Sequence, residues 1–309
     1  LRKGFAARAA LPLVLGLGLL ASGCGGEDLS GTHELTYGGK AVEVPKKAEK
    51  ILLDGTEYPI EDAMALDLKL AGISEGIKFS LFGGLNSYIA NLEKVDTGSP
   101  EALQAFAPDA IIAAGGSEAE HIAELSAVAP VILSEADADW KENLRMLANL
   151  SGQKANGEKL IGQYEKDIKA FKKKWNPDGG KTALYVYLAK DRDDLTLIPS
   201  ALPVLYEDLG FRFPVEEEAM GQVIMLDEAA LSELDPDYIF MDGYWTEYAV
   251  DMREELEKLK NEPGWKEMSA VREGRLYGFE KPLADGTFTG TQSYSRITML
   301  ERLKEEMEK

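Results

Sequence analysis

Covalent chemistry has few residues to work with in this chain. Among its 309 residues there is one cysteine, Cys24, and two histidines, His33 and His121. A histidine-based triad or a direct transition-metal site is hard to build from so few. No GxSxG elbow and no thiol beside a base are present, which argues against a hydrolase on an α/β scaffold. His121 falls in a helical run, SEAEHIAELSAV, where a solvated or packed role is expected. What the chain does supply is aromatic and cationic side chains in segments that leave predicted strands. In the first half these are Tyr58, Lys78, Phe79, Phe82 and Tyr88. In the second half they are Lys190, Arg192, Tyr244, Trp245, Lys281, Phe288 and Arg296. Aromatic walls with a few cations suit non-covalent recognition, and arginine suits fork-like contacts with ligand oxygens. Trp245 and Arg192 stand out, because neither has an obvious core role; Lys190 is the alternative cation. The chemistry is that of a binder.

These residues need a scaffold, and the pattern predicts one of strands alternating with helices. Residues 153–175 read as a long amphipathic helix, with Leu160, Ile161, Tyr164, Ile168, Phe171 and Trp175 on one stripe. At 1.5 Å per residue it spans about 30 Å. Asn176-Pro177-Asp178-Gly179-Gly180 stops it. Before it, a hairpin is expected around Gly38-Gly39. Strands follow at 50–53, 70–73, near Val95, at 109–113 and at 131–133, with helices at 60–68 and 139–150. Residues 75–88 read as one long polar-aromatic loop. After the long helix come strands at 182–188, 238–241 and 275–279, a charged exit loop at 189–200, and helices at 203–209 and within 291–308. Such alternation implies mainly parallel sheets, with ligands gathering at the carboxyl ends of the strands.

The two halves also echo one another. Glu101-Ala102-Leu103 precedes Pro108-Asp109-Ala110-Ile111-Ile112, and Glu228-Ala229-Ala230-Leu231 precedes Pro236-Asp237-Tyr238-Ile239-Phe240. The acid-to-proline spacing differs by one residue. The echo fits an α/β fold of two Rossmann-like lobes with mainly parallel sheets, joined by one long backbone helix as a strut, better than one continuous domain with a long surface helix.

The start of the chain predicts the compartment. Arg2, Lys3 and Arg8 head a short apolar run from Leu11 to Ala21, too short to span a bilayer and suited to a signal peptide. Leu20-Ala21-Ser22-Gly23-Cys24 resembles the bacterial lipobox, which implies cleavage before a lipidated Cys24. The segment 25–31, GGEDLSG, is a polar tether. The expected organisation is a signal peptide at 1–23, anchor and entry segment at 24–47, a lobe at 48–152, the helix at 153–177 and a second lobe at 178–309. A formal net charge of -20 argues against nucleic acid.

Taken in order, AVEVPKKAEKILL, SPEALQAFAPDAII, HIAELSAVAPVI, VLYEDLGFRFP, LDPDYIF and PGWKEMSAVREGRLYGFE resemble the substrate-binding lipoproteins of iron-siderophore ABC importers. These are class III periplasmic binding proteins. The resemblance implies a monomer, extracytoplasmic and lipid-anchored, that binds a ferric siderophore in a shallow groove between lobes. It also implies no cofactor and no protein metal site, the iron being held by the siderophore. An ABC permease with its ATPase is the implied partner, with Glu101 and Glu228 as the acids that dock into it. Many members carry a groove tryptophan near the C-terminus, where this chain has Asp285-Gly286-Thr287-Phe288-Thr289-Gly290. Acids crowd the loops at Asp191, Asp193, Asp194, Asp242, Glu247 and Asp285, which favours a hydroxamate-like or mixed carboxylate ligand over a trianionic tricatecholate. A same-fold binder of haem or a corrinoid is the alternative, weakened because neither histidine lies on an expected exit loop. A sensory lipoprotein that hands ligand to a receptor stays open.

Overall fold

A computed structural model describes residues 30–78, 80, 83–135, 138–188, 195–199, 202–215, 222–243, 252–279 and 290–309. The chain enters through the expected hairpin, β1 (Thr32–Tyr37) and β2 (Lys40–Pro45), turned by Gly38 and Gly39 at positive φ. The first lobe follows as β3 (Ile51–Asp54), α1 (Pro59–Ala65), β4 (Gly72–Ser74), α2 (Gly83–Ile89), β5 (Glu93–Val95), α3 (Pro100–Phe106), β6 (Ala110–Ala114), α4 (Ala119–Ser126) and β7 (Val131–Ser134). Its sheet is wholly parallel, in the order β5-β4-β3-β6-β7. β3 is buried on both faces, as its continuous apolar run Ile51-Leu52-Leu53 demands.

α5 (Trp140–Leu150) leads to α6 (Lys154–Trp175), the predicted strut. Ile161, Tyr164 and Phe171 are buried on it, and Leu160, Ile168 and Trp175 pack partly against the same core. Gly157 lets α5 and α6 approach closely, since a Cβ there would lie 2.6 Å from that of Ala148. Lys172, Lys173 and Lys174 in its last turn complement the negative end of the helix dipole. Asn176 ends it: Nδ2 donates to the carbonyl of Gly210 at 2.9 Å and Oδ1 accepts from Lys181 N at 3.2 Å.

The second lobe comprises β8 (Ala183–Leu188), β9 (Leu195–Leu197), a π-helical turn (Val204–Asp208), β10 (Ile224–Leu226), α7 (Glu228–Leu234), β11 (Tyr238–Gly243), α8 (Met252–Leu259), α9 (Pro263–Glu267), α10 (Ser269–Arg272), β12 (Leu276–Phe279) and α11 (Ser293–Met307). Its strand order, β10-β9-β8-β11-β12, reproduces that of the first lobe. The Pro-Asp echo does the same job twice. α3 and α7 end in left-handed residues, Ala107 and Asp235. The aspartate after each proline then caps the entry to the central strand. Asp109 accepts from Glu49 N and Lys50 N, both at 2.8 Å, and Asp237 accepts from Thr182 N at 2.9 Å.

Four expectations need correction. Residues 75–88 are not one loop, because α2 forms within them. Its opening glycines are poor helix formers and hide it. The exit loop at 189–200 contains β9, and β10 was not foreseen; both are short, and both run antiparallel to a neighbour. So the second sheet is only partly parallel. The helix at 203–209 is a π-helical turn, with Leu209 N donating to Val204 O at 2.8 Å.

α11 belongs to neither lobe alone. Its N-cap residue, Gln292, makes no side-chain cap, and carboxylates from α1 of the first lobe meet the first turn instead. Ser293 Oγ donates to Asp62 Oδ1 at 2.6 Å, and Ser295 N donates to Glu61 Oε2 at 3.0 Å. Both acids are buried, and the seam between lobes is closed by them.

Candidate functional site

The parallel strands of the first lobe end together, and their exit loops form one edge. Gly55 N donates to Ser74 Oγ at 3.1 Å, tying the exits of β3 and β4. Ser80 Oγ donates to Glu57 Oε1 at 2.8 Å, and Ser80 N donates to Asn86 Oδ1 at 2.8 Å, fastening the next loop to α2. At the exit of β7, Glu135 lies so close over Gly115 that a Cβ there would meet its carboxylate at 2.5 Å. Tyr37 OH accepts from Glu135 N at 3.4 Å and donates to Asn143 Oδ1 at 2.6 Å. Asn143 Nδ2 in turn donates to Gln292 Oε1 at 3.1 Å. The rim of the first lobe is thus wired to the start of α11. Burial pushes the Tyr37 phenol above its ordinary range, so it stays a neutral donor.

The charge on this edge is lopsided. Among the described residues of the exit loops, Lys78 is the one cation, whereas the same loops carry Glu57, Glu75, Asp96, Glu118, Glu135 and Asp139. Lys78 is exposed and Tyr58 half-buried at the start of α1, so both remain available at the edge. Across the seam, Asp242 near the end of β11 is buried and accepts a hydrogen bond from Tyr185. The Tyr187 ring packs edge-on to Tyr185, with centroids 4.9 Å apart. Burial, then the Asp242 charge, raises the Tyr185 phenol well above its usual range. Among the described residues, no cluster of three or more His, Cys, Asp or Glu is arranged to hold a metal.

Two sequence-predicted ligand contacts are misplaced. Tyr88 turns to the opposite end of the sheet, where its hydroxyl accepts from Leu70 N at 3.0 Å and donates to Leu68 O at 2.6 Å, ahead of β4. Its spacing along the expected loop concealed that it lies on α2. Arg296 is buried in the first turn of α11, paired with Glu207 at 2.6 Å and Asp208 at 2.5 Å. Its guanidinium is consumed by structure. Lys190, Arg192, Tyr244, Trp245, Lys281, Phe288, Phe79, Phe82 and Cys24 lie outside the described residues.

Sequence reasoning passed over one pair. His121, in the first turn of α4, reaches back to Asp54 at the end of β3, with Nε2 2.9 Å from Oδ2. The histidine lies on a helix, as expected, but its first-turn position brings it to the exit edge. Its position just after the exit of β6 was the available signal.

Glu101 and Glu228 are both exposed, each opening the helix that follows the outermost strand of its sheet. Ser99 caps α3 by accepting from Ala102 N at 3.2 Å, and Asp227 caps α7 by accepting from Ala230 N at 2.8 Å. Relative to these caps Glu101 is the second helical residue and Glu228 the first, which explains the one-residue slip in the echo. Gly264 of α9 leaves room for the Glu228 carboxylate, which a Cβ would meet at 2.0 Å.

Residues 56–283 match a family model described as periplasmic binding protein. The iron-uptake system-binding protein of Bacillus subtilis is 30% identical over 313 residues, covering 96% of each chain. A crystal structure of that iron-uptake system-binding protein, FeuA, superposes with a TM-score of 0.62 at 26% identity, over 89% of this chain and 100% of the other. A second FeuA structure, described as the triscatecholate siderophore binding protein complexed with ferri-bacillibactin, gives a TM-score of 0.54 at 26% identity, over 90% and 100%.

Proposed function

The chain belongs to the periplasmic binding protein family, and on that premise we propose an extracytoplasmic, lipid-anchored receptor for a ferric siderophore. It is a binding protein, not an enzyme. The ligand sits between the exit edges of the two sheets and is passed to an ABC permease with its ATPase. The observation that carries this reading is the end-to-end similarity to an iron-uptake binding protein. Anchoring is through Cys24; among the described residues no helix is long and apolar enough to cross a membrane. We divide the working parts at 48–152, 153–177 and 178–309, with α11 reaching back across the seam. Saturable quenching of tryptophan fluorescence by a ferric siderophore tests the reading, and no quenching by any of a hydroxamate, carboxylate and catecholate panel sinks it.

Within that class, the acid-rich edge of the first lobe supports a hydroxamate-like or mixed carboxylate ligand. A trianionic complex meets several carboxylates there and one described fixed cation. The ferri-bacillibactin complex of FeuA favours a second reading, a tricatecholate. Ferric trihydroxamate is expected to bind at least about tenfold tighter than ferric tricatecholate, a difference of about 1.4 kcal/mol. The reverse order selects the second reading.

Docking to the permease falls to Glu101 and Glu228. Their placement on equivalent helices at the two exit edges supports this role. The double variant Glu101→Arg, Glu228→Arg is expected to abolish uptake in cells while leaving siderophore affinity intact. Helix-dipole effects at these sites amount to only about 0.3–1 kcal/mol, so unfolding does not account for such a loss. Normal uptake by the double variant removes the assignment.

A further inference from the structure

We propose that His121 contacts the bound iron complex through Nδ1, with Asp54 as the residue that positions the ring. This rests on the reading of the exit edges as the ligand site.

The location is set by topology. β3 is central, and from it the chain runs outward to β4 and β5 on one side and to β6 and β7 on the other. In open α/β sheets the crevice for ligand lies where the strand order reverses, at the carboxyl ends. Here that point lies between the ends of β3 and β6. Asp54 is the last residue of β3, and His121 stands in the first turn of the helix that follows β6. The pair therefore sits over the switch point.

The chemistry follows from its partners. The Asp54 side chain is 6% exposed and the His121 ring 29% exposed, so one member is fixed and the other accessible. Ionised Asp54 accepts only a proton-bearing nitrogen, which assigns the hydrogen to Nε2. Nδ1 stands 4.0 Å from Glu124 Oε2, too far for a hydrogen bond, and is left to meet a ligand. A neutral ring presents a lone pair there, whereas an imidazolium presents N–H to an oxygen bound to iron or to a free carboxylate. The charged groups around the ring are Asp54 from β3 and Glu124 from its own helix, with Glu118 at the N-cap of that helix.

The test uses the full chain and whichever of ferri-bacillibactin, ferric citrate and ferrioxamine binds tightest. His121→Gln is expected to weaken binding about tenfold, read by titration calorimetry. Asp54→Asn is expected to weaken binding in the same direction and to redistribute the imidazole tautomers, read from the ring nitrogen resonances. Where a variant fails to fold, the unaltered protein decides: the gallium complex is expected to shift the His121 Nδ1 resonance. If a complex binds but His121→Gln keeps its affinity, or the Nδ1 resonance stays put, His121 merely clips α4 to β3 and the assignment is wrong. If none of the three complexes binds, the receptor reading falls and takes this assignment with it.

Discussion

Replacing Arg296 by alanine is expected to lower the free energy of unfolding by about 3 kcal/mol, the low end of the cost of breaking a buried ion pair. Arg296 is 8% exposed, and it ties together three elements, α11, the π-helical turn and α6. Nη1 meets Asp208 in the π-helical turn, Nε donates to the carbonyl of Thr291 at 2.8 Å, and Asp208 also accepts from Tyr164 OH of α6 at 2.7 Å. Burial opposes the charge on Arg296, but Asp208 and Glu207 outweigh it and hold the guanidinium above its already high range. Burial and Asp208 likewise push the Tyr164 phenol far up, so it remains a donor. Truncation leaves the Asp208 carboxylate, only 18% exposed, with one neutral donor. Glu207, 63% exposed, is solvated either way and adds little. Arg296→Lys keeps the charge but not the fork, and an intermediate loss is expected. Urea unfolding of the two variants checks this. A loss below about 1 kcal/mol for the alanine variant would mean the cluster is no stronger than a surface pair.

That arginine also marks where sequence reasoning stops. Local features were legible because they depend on neighbours in the chain. The stripe of residues 160–175 follows from the helical period, and the Pro-Asp echo from a turn that caps a strand. Both appear in the structure, together with a strand order that repeats from one lobe to the other. The exit edge was legible too, since parallel strands must end on one side. What could not be read was the direction of each side chain once its element packed. Arg296 and Tyr88 look alike by type to groove residues, yet one turns into a buried ion pair and the other back to the start of β4. His121 was placed on a helix as expected, but a helix position says nothing of a partner 67 residues earlier in the chain.

Short elements failed for a different physical cause. α2 opens on Gly83-Gly84 and is held by Asn86 hydrogen bonding to Ser80 rather than by propensity. β9 has three residues between charges and a proline, too few for a period to show. The seam between lobes lay wholly beyond reach, since Glu61 and Ser295 are 234 residues apart. Nothing in their local sequence distinguishes these acids from others in the first turn of a helix.

Asp62, on that same seam, is expected to make the fold less stable as the medium becomes more alkaline. The residue is 1% exposed. Burial pushes its carboxyl from 3.8 to about 8, and the neighbouring Glu61 charge adds to the rise, while the hydrogen bonds from Ser293 oppose it. Between these two values the folded chain holds a proton that the unfolded chain has released. Stability from this site is therefore fully present below the unfolded value and is lost as the pH rises through about 8, with a slope of up to about 1.4 kcal/mol per pH unit. Asp237, Glu165 and Asp167 are shifted the other way, and their contributions vanish only at more acid pH. The interval from about pH 5 to 8 thus belongs to Asp62. Asp62→Asn keeps an oxygen to accept from Ser293 Oγ and cannot ionise. Below about pH 4 the variant is expected to match the parent, and above pH 8 to exceed it by a few kcal/mol. Urea midpoints measured across that range would show the two curves diverging, and parallel curves would mean that the seam carries no proton. The same ionisation places a second charge beside Glu61 where α1 meets α11, so amide exchange at 293–296 is expected to quicken in the parent alone. A pH-dependent loosening at that point loosens the contact between lobes, because the first turn of α11 is what both of them grip.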